Sequence, residues 1–142
     1  MPTHEHSHTI LYAEDDSDDL FMVQQAFEKY NGSFTLLHAS NGFETLEKLN
    51  ALRIADQLPC LIILDVNMPG MNGKETLIRI KQSSDFQKLP VVLFTTSSSE
   101  GDKAFAKKWD AAFITKPLMY SELEELAKTF LNLCGLAVPQ KV

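Results

Sequence analysis

Basic residues are outnumbered in this chain. Of its 142 residues, 13 are Lys or Arg and 19 are Asp or Glu, a net charge of −6. No cationic excess is available to neutralise phosphates, which argues against direct, non-sequence-specific nucleic-acid binding. Cysteine is scarce as well. Cys60 and Cys134 stand far apart and form no CxxC pattern, which fits reduced thiols in a cytoplasmic protein better than a disulfide framework or a zinc site. Long apolar runs are missing: the first hydrophobic stretch, Ile10 to Ala13, is four residues, far short of a membrane span or a signal-peptide core. What remains has the length of one domain, with 44% hydrophobic and 23% charged residues, the ordinary composition of a soluble globular protein.

The most informative stretch runs from Leu61 to Gly70. Leu61, Ile62, Ile63 and Leu64 are apolar without alternation, the pattern of a strand buried on both faces in a parallel sheet. Asp65 follows, and Pro69-Gly70 breaks the element soon after. Asp65 therefore belongs at the strand's carboxyl end, the edge where ligands bind in open α/β sheets. A second acidic cluster, Glu14-Asp15-Asp16, ends an earlier apolar strand in the same way.

Taken in order, residues 1–8 form a polar flexible tail. His4, His6 and His8 alternate at a spacing that would suit a transition metal in an extended segment, but no Cys or carboxylate pair matches them and no metal is assigned. Thr9 to Ala13 is a strand. Ser17 caps a helix with Asp18-Asp19 in its first turn and Leu20, Val23, Phe27 and Tyr30 on one face, stopped by Asn31-Gly32. Phe34 to Ala39 is the second strand, followed by a helix from Asn41-Gly42 with Phe43, Leu46 and Leu49 inward. Cys60 to Val66 is the third strand, and Lys74 to about Ser83 a helix with Leu77 and Ile80 inward. Val91 to Phe94 is the fourth strand, ending in Thr95-Thr96-Ser97-Ser98-Ser99. Glu100 to Lys108 is helical, with Ala104 and Phe105 apolar, and Ala111 to Ile114 is the last strand, followed by Lys116-Pro117. Ser121, with Glu124 three residues on, caps a final helix with Leu123, Leu126, Phe130 and Leu133 on its core face, ended by Gly135. The domain spans 9–135, and 136–142 is a tail.

Five strands alternating with five helices predict a doubly wound parallel sheet of order 2-1-3-4-5. Glu14, Asp15 and Asp65 then share one pocket at the switch point, with Thr95 and Lys116 arriving from adjoining strands. Two carboxylates 4 Å apart repel by about 4 kcal/mol at an effective dielectric near 20, so three of them call for a cation. Mg²⁺ suits such a set, because it takes one or two carboxylates and keeps waters that a phosphate can replace. A lysine and a hydroxyl beside it would stabilise a phosphoryl group in transfer, with Asp65 as nucleophile. Asp16, Asp18 and Asp19 are accounted for by helix capping; Glu14 and Asp15 precede the cap and are not.

In this arrangement the sequence resembles the receiver domains of two-component response regulators. The matching residues are Glu14-Asp15, the segment Asp65-Val66-Asn67-Met68-Pro69-Gly70-Met71-Asn72-Gly73, Thr95, and Lys116-Pro117, within a likeness that covers roughly Thr9 to Leu133. The resemblance implies the flavodoxin-like receiver fold, with Asp65 as phosphoacceptor. It makes Asp15, Asp65 and the Asn67 main-chain carbonyl ligands of Mg²⁺, with Glu14 acting through a metal-bound water. Lys116 binds the phosphoryl oxygens, held by a Lys116-Pro117 peptide that is cis in the family. Thr95 hydrogen-bonds the phosphoryl group, and Phe113 is the aromatic that turns from solvent to core. The implied donor is a phosphohistidine on a sensor histidine kinase or histidine phosphotransfer protein, docking near the first helix and the Lys116 loop. With no second domain expected after residue 133, the implied readout is binding of a downstream protein effector, through the surface of the fourth helix, fifth strand and fifth helix. Such a protein is a regulatory phosphoacceptor, not an enzyme in the ordinary sense, though it assists its own phosphorylation and dephosphorylation; no nucleic acid or membrane is involved.

Three features depart from the family pattern. Glutamate opens the acidic pair, the interval from Asp15 to Asp65 is long, and Lys108-Trp109-Asp110-Ala111-Ala112 stands where a Gly-Ala pair is usual, with a spacing one residue short. Two other classes share some of the chemistry. A haloacid-dehalogenase-like phosphatase needs an acid two residues after its nucleophile and carries that nucleophile on the first strand, whereas position 67 is Asn and Asp65 lies on the third. A receiver acting as a phosphorylation-independent binding module would have no need of Glu14, Asp15, Asp65, Thr95 and Lys116 together.

Overall fold

A computed structural model describes residues 8–30, 34–96 and 99–135. The tail residues His4 and His6, the Asn31-Gly32 stop, Ser97, Ser98 and the 136–142 tail lie outside the described residues. Within them the strands are β1 (His8–Ala13), β2 (Phe34–Ala39), β3 (Leu61–Asp65), β4 (Val91–Thr95) and β5 (Ala112–Thr115). They alternate with helices α1 (Ser17–Glu28), α2 (Gly42–Ile54), α3 (Gly73–Lys81), α4 (Glu100–Lys108) and α5 (Tyr120–Leu133). Every strand pairing is parallel, and the order is β2-β1-β3-β4-β5, the doubly wound arrangement expected. His8, assigned to the tail on sequence grounds, is the first residue of β1.

Alternation along the strands divides the core in two. Ile10, Tyr12, Leu61, Ile63, Val92 and Phe94 face α1 and α5, where they meet Val23, Phe27, Ala127 and Phe130. Leu11, Ala13, Ile62, Leu64 and Leu93 face the other way, onto Leu49, Leu77, Ile80 and Ala106 of α2, α3 and α4. β3 and β4 are buried at every position, and each large aliphatic removed from water there contributes about 1.5–3 kcal/mol. Phe130 stacks on Phe27 with centroids 6.1 Å apart and meets Phe94 edge-on at 5.5 Å, tying α5 and α1 to β4.

Several local readings are corrected. The α1 cap is Asp16, whose carboxylate accepts from the Asp18 and Asp19 amides, and Ser17 is already helical; a carboxylate there is also favoured by the helix dipole. α5 starts one residue before Ser121, after Met119, without a side-chain cap. Phe43 is exposed, lying beside Gly70 instead of inward, and Ala104 is exposed too. On α5, Leu133 is exposed while Leu131 is buried, because the helix is rotated so that 123, 127, 130 and 131 face the sheet.

Asp110 resolves the anomaly before the last strand. Its φ of 53° supplies the left-handed residue that glycine ordinarily provides after a helix, a conformation that Asp tolerates better than most residues. The chain then turns into β5 with the Ala111 amide bonded to the Ala106 carbonyl at 2.8 Å.

The cysteine reading is also overturned. Cys60 and Cys134, 74 positions apart in sequence, are joined as a disulfide, with Cα atoms 4.9 Å apart. Sequence separation concealed the proximity: Cys60 immediately precedes β3 and Cys134 caps the end of α5, and the parallel crossovers return both to the amino edge of the sheet. Scarcity of cysteine therefore gives no support to a reducing compartment. No helix among the described residues is long and apolar enough to cross a membrane.

Candidate functional site

Register builds the site. Ala13 of β1 pairs with Leu64 of β3, so the next residue on each strand, Glu14 and Asp65, emerges side by side at the carboxyl rim. Both are buried, whereas Asp15 is exposed, and carboxylate oxygens of the three lie within 4.8 Å of one another. On the other side, β4 ends at Thr95, which pairs with Thr115 of β5. The Lys116 amide donates to the Thr95 carbonyl at 2.7 Å, and the Lys116 side chain turns back over the rim.

The loop after β3 is pinned by a close approach. The Gly73 amide donates to the Val66 carbonyl at 3.1 Å, and a Cβ at Gly73 would collide with the Asp65 main chain. Only glycine lets α3 begin this close to Asp65. Asn67, in this loop and exposed, donates its amide to Asp65 Oδ1 at 3.2 Å.

Glu14 is the most firmly held of the acids. Its Oε1 accepts from the Tyr12 hydroxyl and from Lys116 Nζ, both at 2.7 Å, and its Oε2 from the Asp16 amide at 3.3 Å. His38 donates from Nε2 to the Glu14 carbonyl at 2.6 Å, fixing the main chain as well. Lys116 Nζ also donates to Asp19 Oδ2 at 2.9 Å and lies 3.4 Å from Asp65 Oδ2.

These contacts divide the charges. Burial pushes the Asp65 carboxyl up to about 7, helped by the hydrogen bond and charge of Glu14 and opposed by Lys116. Burial also raises Glu14, but hydrogen bonds with Asp65, Lys116 and Tyr12 outweigh it and leave Glu14 below the usual carboxylate range. Of the two neighbouring acids, Asp65 is thus the one pushed toward its neutral form and Glu14 the one held toward its ionised form. Burial would lower the Lys116 ammonium; its bonds to Glu14 and Asp19 reverse that and raise it, so it stays charged. Tyr12 is raised by burial and then by the Glu14 charge, and remains a donor.

The geometry thus brings Glu14, Asp15, Asp65 and Lys116 together, with Thr95 buried at the adjoining strand end. Phe113 is not part of that pocket. It is half-buried on β5, opposite Leu93, and packs, as Phe105 and Trp109 do, against the core on the sheet's other face. The Lys116–Pro117 peptide is trans, against the cis form implied by the family likeness; for an X–Pro bond the two forms differ by only about 1 kcal/mol, and Lys116 reaches the acids from the trans form.

Sequence reasoning missed Tyr12, His38 and Asp19. Tyr12 carried a signal, since a period of two puts it on the same strand face as Glu14. Asp19 was fully explained by the helix dipole, and only the fold shows that the first turn of α1 faces the same rim as Lys116.

Similarity to known proteins agrees with this arrangement. The family model for the response regulator receiver domain matches residues 10–128. The chain is 34% identical over 95 residues to the response regulator Rcp1 of Synechocystis, a match covering 66% of this chain and 65% of Rcp1. Among solved structures it is similar to the phosphorylated cyanobacterial phytochrome response regulator RcpA, with a TM-score of 0.81 and 26% identity over 94% of this chain and 99% of that one. It is also similar to the Mn²⁺-bound form of Rcp1, with a TM-score of 0.77 and 26% identity over 94% of this chain and 99% of that one. With the doubly wound order, the acids at the ends of β1 and β3 and the lysine after β5 all in register, the chain belongs to the receiver domain family of two-component response regulators.

Proposed function

We propose that this receiver accepts a phosphoryl group on Asp65 from a phosphohistidine of a sensor histidine kinase or histidine phosphotransfer protein, and signals through altered binding to a downstream protein effector. One observation carries the reading: Asp65 is buried at the end of β3 with Lys116 Nζ 3.4 Å away and two further carboxylates clustered with it. As Asp65 attacks, its oxygen–phosphorus bond forms while the donor's nitrogen–phosphorus bond breaks, and the bonding pair leaves with the imidazole. Asp65 must react as the carboxylate. Lys116 holds the transferring oxygens, in chemistry that depends mainly on positioning and charge. Thr95 donates its hydroxyl to the phosphoryl group, and Phe113 repacks as that loop is drawn in.

The acids suit Mg²⁺. All their donors are oxygen, and the exposed Asp15 beside two buried acids leaves a wet side for the ion to keep waters. Asp15, Asp65 and the Asn67 carbonyl would hold it, with Glu14 acting through a bound water. When bound, it would neutralise the clustered carboxylates and the incoming phosphoryl oxygens. The likeness to Rcp1, solved in a Mn²⁺-bound form, supports a divalent ion here.

The chain is then a regulatory phosphoacceptor working in the cytoplasm, which aids its own phosphorylation and dephosphorylation without being an enzyme in the ordinary sense. Phe21 of α1 and Leu118 and Met119 after Lys116 are 60%, 95% and 61% exposed, and offer the donor an apolar contact beside the site. A phosphatase of the haloacid-dehalogenase kind lacks its second acid, because Asn67 stands there. Intact-mass analysis after incubation with acetyl phosphate and Mg²⁺ tests the reading. One base-labile phosphoryl adduct is expected on the wild type and none on Asp65→Asn; a wild type that takes up no adduct would leave only the phosphorylation-independent binding module.

A further inference from the structure

The ammonium of Lys116 is shared among carboxylates that are not equivalent. Glu14, with no exposed side-chain surface, is fixed by Tyr12, the Asp16 amide and His38. Asp65 is the acceptor itself. Asp19 is different: it stands outside the Glu14, Asp15 and Asp65 cluster, on the first turn of α1, and its side chain is 40% exposed. An ammonium has three N–H donors. Two are committed, to Glu14 and Asp19, and the Asp65 oxygen at 3.4 Å is the third neighbour. A phosphoryl group on Asp65 brings further oxygens to that neighbour, so the ammonium must shift toward it. Leaving Glu14 would strand a buried charged oxygen with fewer donors, a costly outcome. Leaving Asp19 costs little, because water replaces the lysine on an exposed carboxylate. Asp19 and Lys116 also border a cavity of about 260 Å³ with Tyr12, Phe94 and Leu118, which gives the side chains room to separate.

We propose that Asp19 is a positioning residue that holds Lys116 back from Asp65 in the unphosphorylated protein and is the partner Lys116 releases when the phosphoryl group arrives. The inference rests on Asp65 being the phosphoacceptor. It has a corollary in the opposite direction: with Asp19 competing for its ammonium, the phosphorylated form is held less firmly and loses its phosphoryl group sooner than it would otherwise.

The test compares Asp19→Asn with Asp18→Asn, which removes the same charge from the same helical turn without touching Lys116. Labelling by acetyl phosphate in saturating Mg²⁺ is followed by intact mass. Asp19→Asn is expected to label about fivefold faster than Asp18→Asn, the scale of one partly exposed ion pair. The gain should fall on the maximal rate and not on the half-saturating donor concentration. Asp19→Glu, which keeps the carboxylate, should return toward the wild-type rate, and hydrolysis of the adduct should slow in Asp19→Asn. In a Lys116→Ala background the two Asn variants should be indistinguishable, since the coupling runs through the lysine. Equal rates for Asp19→Asn and Asp18→Asn on the wild-type background would overturn the role of Asp19 while leaving Asp65 as acceptor, as would a gain that persists without Lys116. Absence of any adduct on the wild type would overturn both together.

Discussion

The two ends of the sheet are held together by opposite means. At the amino edge, Cys60 and Cys134 close a covalent link between the start of β3 and the end of α5, and the neighbouring side chains are apolar: Ile10, Leu61 and Phe130 are fully buried. At the carboxyl edge Glu14, Asp15 and Asp65 crowd together with a single lysine among them. The first end is built for stability. The second keeps like charges close, offset by the one ammonium that Glu14 and Asp65 share. The difference shows where a ligand can do work: positive charge supplied at the carboxyl rim relieves a conflict the fold has left standing.

Breaking the carboxyl rim should have the largest effect. Lys116→Ala leaves Glu14 buried beside Asp65 without its cation, and loss of one partner of a buried pair costs about 3–5 kcal/mol; chemical denaturation of the metal-free protein near pH 7 measures it. Breaking the amino edge should cost less. Reduction, or the Cys60→Ser and Cys134→Ser pair, should lower stability by about 2–4 kcal/mol in the same assay, without changing the rate at which Asp65 is labelled.

Titration sharpens the contrast further. The folded-state value of Asp65, near 7, is raised above its unfolded value, so its contribution to stability is complete below about pH 4 and is lost as pH rises through 7. Glu14 is shifted downward, so its contribution is present above its unfolded value and fades only at lower pH. Lys116, raised, contributes evenly across this range. The metal-free protein should therefore lose about 1–3 kcal/mol between pH 5 and 8, read as a falling Tm. Asp65→Asn should flatten the slope, and added Mg²⁺ should reverse it.

The smallest effect lies away from both ends. Asp110 sits at a φ of 53°, a conformation that costs a non-glycine residue roughly 1–2 kcal/mol, partly offset by the greater freedom of glycine in the unfolded chain. Asp110→Gly should raise stability by up to about 1 kcal/mol and leave phosphorylation unchanged.

How much of this was legible in the sequence follows from what each feature depends on. The strands were readable because unbroken apolar runs such as Leu61 to Leu64 and Val91 to Phe94 have few other uses. Their order and the meeting of Glu14, Asp15, Asp65 and Lys116 followed from the alternation of strands and helices and from the resemblance. Local caps were misjudged at Ser17, where Asp16 takes the role, and at Ser121, where α5 begins without a side-chain cap. Phe43 was misplaced because its burial depends on how far the Gly70 loop leans over α2. The Cys60–Cys134 link and the Asp19–Lys116 pair had no sequence signature, since both join elements distant in the chain, and for Asp19 a sufficient local explanation was already at hand.

The central claim is that the carboxyl rim is a site whose charge conflict is completed by one divalent cation. Calorimetric titration of Mg²⁺ into the wild type and Asp15→Asn at pH 7.5, and into the wild type again at pH 5.5, tests it most directly. One site per chain is expected, weakened at least about tenfold by the substitution and weakened also at the lower pH, where Asp65 retains its proton. Equal affinity in all three titrations would contradict it.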